Sequence, residues 1–210
     1  MGIGVWAELL DLEVISQALP RLSAVHARIG LALASEQLGD PAIAALTRRA
    51  RDAGVGVRAW LLLPRADGYW IGERNAEQFA RALDELGVWS ERPGGPAFDG
   101  VSVDLEPPID YSEELRTIRK SRPDRWLTLL ASHVDRVRFE RARSVLGRAV
   151  ERAHERGILV HAVTYPLVLD QPDGESILED ALEIVVSGVE WDEVSFMVYQ
   201  TAFAQQLGSW

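Results

Sequence analysis

Residues 98–107 read Phe-Asp-Gly-Val-Ser-Val-Asp-Leu-Glu-Pro, and they set the architecture that we predict for the chain. Aliphatic side chains alternate there with Ser102, Asp104 and Glu106. Because successive side chains of a strand point to opposite faces, the alternation predicts a strand with one aliphatic and one polar face. The strand ends at Pro107, which cannot continue a sheet ladder. Two carboxylates are therefore expected on one strand face, directly before the chain leaves the sheet.

The spacing of these two acids favours a catalytic role. Residues i and i+2 of a strand share a face, with α-carbons roughly 6.5 Å apart. Like charges at that separation raise the pKa of one carboxyl, which then stays protonated beside an ionised partner and suits general acid catalysis. The carboxyl ends of strands are also where α/β barrels hold their catalytic groups. The alternative interpretation is that the two acids cap a helix or meet solvent.

The same segment resembles the signature of glycoside hydrolase family 18, the chitinases and related enzymes, which is an Asp-x-x-Asp-x-Asp-x-Glu motif on the fourth barrel strand. Asp99, Asp104 and Glu106 match that motif, and Ser102 stands where the family has its middle Asp. Residues 196–200, Phe-Met-Val-Tyr-Gln, resemble the Met-x-Tyr-Asp strand of the same family, with glutamine in place of the acid.

This resemblance implies a glycosidase that acts on N-acetylated sugar polymers or oligomers without a cofactor. Glu106 would protonate the leaving oxygen, and Asp104 would orient the N-acetyl group of the substrate, which replaces an enzyme nucleophile. Tyr199 would hydrogen-bond the same group, with Gln200 and Ser102 beside it as substrate-binding residues. The alternatives are a non-catalytic carbohydrate-binding barrel and a hydrolase of another barrel family.

Strand and helix patterns alternate along the whole chain, which predicts an α/β fold with a parallel sheet. The pattern predicts strands at 3–9, 28–36, 55–64, 98–107, 125–132, 158–165 and 194–200. Asp40 and Pro41 are expected to open one intervening helix and Gly54 to end it. Asn75 makes a capping-box-like start to the next helix. Because no linker or low-complexity stretch interrupts the chain, residues 1–210 are predicted to form one domain.

The predicted architecture is a TIM-barrel-like (β/α)8 fold that either is complete or lacks its last β/α unit, since seven strands are counted. A complete barrel usually takes about 250 residues, with about 200 near the lower limit. The alternative is a doubly wound sheet, which shows a Gly-rich turn after its first strand when it binds a nucleotide. The run Gly2-Ile3-Gly4 lies before a strand instead of after one.

Other candidates lie near the predicted strand ends. Glu8 and Glu36 end the first and second strands, and both approach Glu106 if their faces point inward. Otherwise they meet solvent or cap the next helix. Aromatic side chains offer either stacking surfaces for a substrate or core packing. The aromatic candidates are Trp60, Tyr69, Trp70 and Tyr165.

Composition limits the expected partners. The chain has a formal net charge of −10 and an estimated pI of about 4.9. Without a basic block, such a chain is a poor candidate for binding nucleic acid or an anionic membrane. No apolar run approaches the ~20 residues of a membrane span. The start has no basic n-region, so no signal peptide is predicted, and localisation is left open.

No metal ion or cofactor is predicted. The chain has no cysteine, which excludes thiol nucleophiles and thiolate metal sites. Its four histidines show no His-x-x-x-His spacing. We interpret His161 as a core residue, whereas His133 follows a predicted strand and could reach the mouth. Lys120, the single lysine, ends a helical stretch, which argues against a Schiff-base aldolase or a pyridoxal enzyme.

Overall fold

The structure is a computed structural model, and it describes residues 3–121, 123–170 and 177–198. Its strands are β1 (Gly4–Ala7), β2 (Arg28–Ala34), β3 (Gly56–Leu62), β4 (Gly100–Asp104), β5 (Val160–Thr164) and β6 (Glu193–Phe196). They lie in the sheet in chain order, and every neighbouring pair is parallel. This confirms the predicted α/β class with a parallel sheet. The order lacks the reversal that marks a doubly wound sheet.

Helices connect the strands. The described helices are α1 (Leu12–Ala24), α2 (Pro41–Asp52), α3 (Ala76–Glu91), α4 (Ile109–Ser121), α5 (Pro123–His133), α6 (Arg136–Glu155) and α7 (Ile177–Leu182). Both predicted ends of α2 are confirmed. Asp40 Oδ1 accepts a hydrogen bond of 2.7 Å from the Ala42 backbone N–H, and Gly54 follows the helix with a φ of +76°. That left-handed conformation favours glycine because it has no Cβ.

The sheet curls strongly, so that distant strands face each other across its concave side. Trp6 on β1 and His161 on β5 are four strands apart, which would be about 19 Å in a flat sheet. Their ring centroids nevertheless lie 6.4 Å apart. Arg58 Nη2 on β3 likewise lies 2.9 Å from Glu193 Oε2 on β6. The described strands therefore form a half-barrel, and they do not make the complete TIM barrel that was one of the two predicted forms.

The convex face of the sheet carries the main hydrophobic core. Ile29, Leu31 and Leu33 of β2 are each at most 3% exposed, because alternate residues of the strand point toward the helices. Phe79 of α3 and Phe139 of α6 belong to the same apolar cluster and are fully buried. The helices thus cover the convex face, which leaves the concave face to more polar side chains.

The predicted strand at residues 125–132 is wrong, because these residues lie in α5. Trp126, Leu129 and Leu130 recur at helical spacing, and they belong to a second apolar cluster with residues of α4 and α7. Leu127 points away from that cluster and is 69% exposed. A short apolar run fits either a strand or a helix, and here the tertiary contacts decide for the helix. The strand count in the described residues therefore falls from seven to six.

Asn75 precedes α3, but its side chain does not cap that helix as the predicted capping box requires. Its Oδ1 accepts a hydrogen bond of 2.9 Å from the Gly72 backbone N–H. Its Nδ2 donates to the carbonyls of Asp67 at 2.8 Å and Trp70 at 2.7 Å. The buried Asn75 amide therefore holds together the loop between β3 and α3.

We expect Asn75→Ala to lower the free energy of unfolding by about 2–3 kcal/mol, because it removes three hydrogen bonds to the loop backbone and leaves the buried Gly72 N–H without its partner. Urea denaturation followed by circular dichroism measures this loss. The matched control is Gln37→Ala, which removes a single exposed hydrogen bond from the Ala34 backbone N–H and should cost less than about 1 kcal/mol. Equal losses in the two variants would contradict the role assigned to Asn75.

Candidate functional site

Asp104 and Glu106 lie at the carboxyl end of β4, where the sequence pattern places them. Asp104 is the last residue of the strand, and the two residues are 6% and 9% exposed, respectively. Val103 and Leu105 alternate with them and are fully buried on the opposite face. An isolated bridge between Ile71 and Leu105 extends the pairing beyond Asp104. The extended backbone therefore brings both carboxyls to one side of the strand end.

Burial is the main reason why these two carboxyls resist ionisation. Burial, the charge of Glu106 and a hydrogen bond with Glu106 together raise the pKa of Asp104 to about 9. Burial also raises the pKa of Glu106, although hydrogen bonds from Tyr165 and Asp104 oppose that shift. At neutral pH the pair therefore shares a proton, because burial raises the pKa of both carboxyls. Within the described part of the chain, Asp104 Oδ1 has no hydrogen-bond partner.

Tyr165 joins the carboxyl pair from the neighbouring strand. It follows β5, which pairs with β4, and its hydroxyl donates a hydrogen bond to Glu106 Oε2. Burial and the charge of Glu106 raise the pKa of Tyr165, so the hydroxyl keeps its proton at physiological pH. The structure therefore brings together three of the residues that the sequence singled out, Asp104, Glu106 and Tyr165.

Glu8, another predicted site residue, adds a third carboxylate to the same end of the half-barrel. The Tyr69 hydroxyl donates a hydrogen bond to Glu8 Oε1. The charge of Glu8 contributes to the raised pKa of both Asp104 and Glu106, whereas the charge of Arg116 opposes the shift at Glu106. Burial and Glu8 raise the pKa of Tyr69 to about 12. The negative charge gathered at these strand ends favours uncharged or cationic molecules over anions.

A cavity of about 720 Å³ opens along the concave face, and its lining runs from the amino ends of the strands to the carboxyl end of β6. Its lining includes Trp6, Arg58, Ser102, His161, Glu193 and Ser195. Ser102 Oγ lies 3.3 Å from His161 Nδ1, and Ser195 Oγ lies 2.8 Å from His161 Nε2. Ser102 lines the cavity from β4, whereas Asp104 and Glu106 lie further along that strand and outside the described lining.

Other predicted residues lie elsewhere. Trp60 is buried and packs edge-on against Trp6, with ring centroids 5.1 Å apart, so it is a packing residue of the concave face. Glu36 is exposed and accepts a hydrogen bond from the Ser35 hydroxyl. Tyr199 and Gln200, predicted to contact substrate, lie outside the described residues.

His133 does not follow a strand, as the sequence pattern suggested, because it ends α5. Its Nδ1 lies 2.7 Å from Glu183 Oε1, and its ring stacks on Tyr111 with a centroid distance of 3.8 Å. Both contacts belong to the helical side of the molecule. The structure therefore does not bring His133 to the carboxyl pair.

The prediction that His161 is a core residue is confirmed, since it is 7% exposed and both of its ring nitrogens have hydrogen-bond partners. The sequence analysis did not single out Arg58, Glu193 and Ser195, which lie with it on the concave face. The sheet register places His161 opposite both Ser102 and Glu193. The strand patterns contain a signal for this set. Side chains alternate between the two faces of each strand, so polar residues in register with Ser102 on neighbouring strands point to the same side of the sheet.

A cluster of charged side chains supports the loop between β3 and α3. This charge cluster consists of Glu73, Arg74, His133, Arg138 and Glu183. Arg138 Nε donates to Glu73 Oε2 at 2.6 Å, and Arg74 Nη2 donates to Glu183 Oε1 at 2.8 Å. The Glu73 and Glu183 side chains are fully buried. Burial raises the pKa of Glu73 to about 8 despite the pairing with Arg138.

Gly72 lies where this charge cluster meets the carboxyl pair. A Cβ at this position would collide with the carbonyl oxygen of Glu183 and would lie 3.6 Å from that of Glu106. The Glu73 backbone N–H also donates a hydrogen bond of 2.8 Å to the Glu183 carbonyl. The charge cluster and the strand end therefore pack backbone to backbone at a point that has room only for glycine.

Within residues 3–121, 123–170 and 177–198, no group of three or more histidine, aspartate or glutamate side chains is placed to hold a metal ion. The helices described there also lack the combined length and apolarity that crossing a membrane requires.

No protein family model and no curated protein matches the chain. Its structural neighbours include a blue fluorescent protein from a metagenomic library in complex with NADPH, at 17% sequence identity and a TM-score of 0.29. FabI from Alistipes finegoldii is another, at 12% identity and a TM-score of 0.29. The matches cover 87% and 88% of this chain but only 62% of each neighbour. The chain thus spans about three fifths of the length of these proteins.

The predicted membership of glycoside hydrolase family 18 is wrong. No family model and no curated protein matches the chain, and the described strands make a half-barrel instead of the complete barrel on which that family's motif lies. The family resemblance also implied a glycosidase activity, a carbohydrate substrate and two alternatives. These predictions lose their basis together with the family membership. A short motif of alternating acids arises at strand ends without common ancestry. A TM-score of 0.29 does not in turn assign NADPH to this chain.

Proposed function

We propose that the chain is an acid–base catalyst that moves a proton at the carbon next to the carbonyl group of a small uncharged molecule. The observation that carries this proposal is the buried pair of Asp104 and Glu106, which holds a proton at neutral pH. A protonated carboxyl beside an ionised one supplies a hydrogen-bond donor and a base at the same place. Two neighbouring titratable groups whose environments push their pKa values apart are typical of acid–base sites.

Each residue of the pair has a distinct role in this chemistry. Glu106 is the base that takes the proton from carbon, and the hydrogen bond from Tyr165 fixes its carboxylate. When substrate binds, the Asp104 O–H turns from Glu106 to the carbonyl oxygen of the substrate and donates to it as that oxygen gains negative charge. The buried Asp104 carboxyl suits this role because burial holds its proton in place. Glu8 adds negative charge nearby, which is why an uncharged substrate is proposed.

The carboxyl ends of sequential parallel strands are the place where barrel enzymes hold such groups. We accordingly propose that the half-barrel belongs to a TIM-barrel-like (β/α)8 architecture and that residues 1–210 form one domain. The chain order of the strands and the helices on the convex face support this assignment. The residues that follow β1, Glu-Leu-Leu-Asp at positions 8–11, contain no glycine-rich turn for a dinucleotide.

The test is hydrogen exchange at the carbons next to the carbonyl of hydroxyacetone, followed by NMR in heavy water. We expect the wild-type chain to accelerate exchange above the buffer rate and Glu106→Gln to reduce the acceleration by about 100-fold or more. Because the reaction needs a protonated Asp104, the rate should fall as the pH rises through about 9. Pyruvate, which is anionic, should exchange more slowly.

The matched control for this test is Glu36→Gln, which makes the same chemical change at an exposed acid after β2. It should leave the exchange rate of hydroxyacetone unchanged. A wild-type rate equal to that of buffer would reject the proposal, and so would a Glu106→Gln variant that exchanges as fast as the wild type.

A further inference from the structure

We propose that Ser195 is a nucleophile for acyl transfer and that His161 activates it inside the cavity on the concave face. Ser195 Oγ lies 2.8 Å from His161 Nε2, and Ser102 Oγ lies 3.3 Å from His161 Nδ1. The three residues lie on β6, β5 and β4, which are neighbours in the sheet. A hydroxyl and a base within hydrogen-bond reach, with a third group orienting the base, is the arrangement of an activated nucleophile. These groups are separate from the acid–base pair proposed above.

The hydrogen bonds of His161 decide which serine is activated. A neutral imidazole has one N–H donor and one acceptor nitrogen. If Nδ1–H donates to Ser102, then Nε2 accepts the proton of the Ser195 hydroxyl. Ser102 is 1% exposed, whereas Ser195 is only partly buried and faces the cavity. Ser195 is therefore the serine that a substrate meets, and Ser102 is a positioning residue.

The surroundings of His161 keep it in the neutral form that a base requires. Burial lowers the pKa of His161. The charged groups that face it are Arg58, which lowers that pKa further, and Glu193, which opposes the shift. These two residues pair with each other at 2.9 Å across the concave face. The Trp6 ring lies near the imidazole, with ring centroids 6.4 Å apart and the two planes tilted by 33°.

The cavity has the size and the charge that an acyl donor needs. Its volume of about 720 Å³ lies within the range of roughly 300–1,000 Å³ typical of small-molecule sites. Arg58 lines the cavity together with Ser195. One nitrogen of its guanidinium pairs with Glu193, and the remaining N–H groups are the donors for a carbonyl oxygen that becomes an oxyanion in the transition state. The substrate class is therefore a small activated ester.

The transfer step balances with the groups at hand. Ser195 Oγ attacks the ester carbonyl carbon, and its proton passes to His161 Nε2. The tetrahedral intermediate then collapses: the ester C–O bond breaks, the leaving alcohol takes the proton from His161, and the acyl group stays on Ser195. A second alcohol or an amine reverses the same steps and carries the acyl group away. No oxidant or reductant takes part.

The experiment uses a fluorophosphonate probe, which modifies activated serines with loss of fluoride, and maps the modified residue by mass spectrometry. We expect the wild-type chain to be modified at Ser195, with a rate that rises with pH through a midpoint below 6.5, where His161 becomes neutral. His161→Gln should slow the modification by about 100-fold or more. Ser195→Ala should abolish it. The matched control, Ser90→Ala, removes a helix-end serine that bonds to Leu86 and should change nothing.

The role of Ser102 is tested in the same assay. Ser102→Ala should slow the modification of Ser195, and Ser102→Thr should restore the rate because it keeps the hydroxyl. Because the modified residue is mapped in the wild-type chain, the result does not depend on how well any variant folds. An unmodified wild-type chain, or modification at another residue, would overturn the proposal. An unchanged rate in folded His161→Gln would overturn it as well.

Discussion

Arg138→Ala is expected to lower the free energy of unfolding by about 3 kcal/mol at pH 8, near the lower end of the range for breaking a buried ion pair. Arg138 contacts two fully buried carboxylates, with Nε 2.6 Å from Glu73 Oε2 and Nη2 3.4 Å from Glu183 Oε1. Truncation removes the cation and leaves both carboxylates in place. The loss stays near the lower end because Arg74 still pairs with Glu183. Urea denaturation of both proteins at several pH values measures the difference.

The control for this prediction lies one turn further along α6. Arg141 pairs with Glu77 at the surface, where the two side chains are 73% and 51% exposed, so Arg141→Ala should cost less than about 1 kcal/mol. Adding Glu73→Gln to Arg138→Ala should recover part of the lost stability at pH 8, because glutamine needs neither a buried charge nor the uptake of a proton on folding. If Arg138→Ala lowers the free energy of unfolding no more than Arg141→Ala does, the charge cluster does not hold the loop between β3 and α3 in place.

Asp104→Asn is expected to stabilise the chain by a few kcal/mol at pH 8 and to have little effect near pH 3, since one pKa unit corresponds to about 1.4 kcal/mol. The pKa of Asp104 is raised on folding from 3.8 to about 9. A carboxyl whose pKa is higher in the folded chain than in the unfolded chain makes its full contribution to stability at pH values below the unfolded-state pKa. That contribution is lost as the pH rises through the folded-state pKa. The wild-type chain should therefore lose stability between about pH 4 and pH 9, relative to the variant.

The asparagine side chain keeps a donor for Glu106 but cannot ionise, which isolates the effect of the proton. Asp99→Asn is the matched control, because it makes the same change at the exposed residue that precedes β4. Its effect on the free energy of unfolding should stay within about 0.5 kcal/mol and should not vary with pH in this way. If the two variants have the same pH dependence, Asp104 does not hold its proton in the folded chain.

The strands of the buried sheet were the most predictable part of the structure. In residues 98–107, the period of two fixes both the strand and the side of Asp104 and Glu106, because backbone geometry alone sets the alternation. The strand prediction for residues 125–132 failed because Trp126 and Leu130 fit both a strand and a helical period. Their burial against α4 and α7 favours the helix. Local pattern does not contain such long-range contacts.

The partners of the site residues were less predictable than their positions. Tyr69 contacts Glu8 from a loop in which the φ of Tyr69 is +68°. The sequence analysis did not predict this backbone conformation. The contact of Tyr165 with Glu106 follows from strand adjacency, which requires the sheet order as well as the strands. The family resemblance failed for a related reason, since a short acidic motif describes one strand end and says little about the surrounding chain.

The chain order of the strands has a consequence for how the protein is made. Each new strand pairs with the strand synthesised just before it, so little loop-closure entropy opposes each addition and the sheet is able to grow while the chain leaves the ribosome. The contacts that bend the sheet come later. Trp6 meets His161 only when β5 has been added, and Arg58 meets Glu193 only with β6. The concave cavity is therefore complete only when β6 has been synthesised, and the main hydrophobic core likewise needs α6, β5 and Val189.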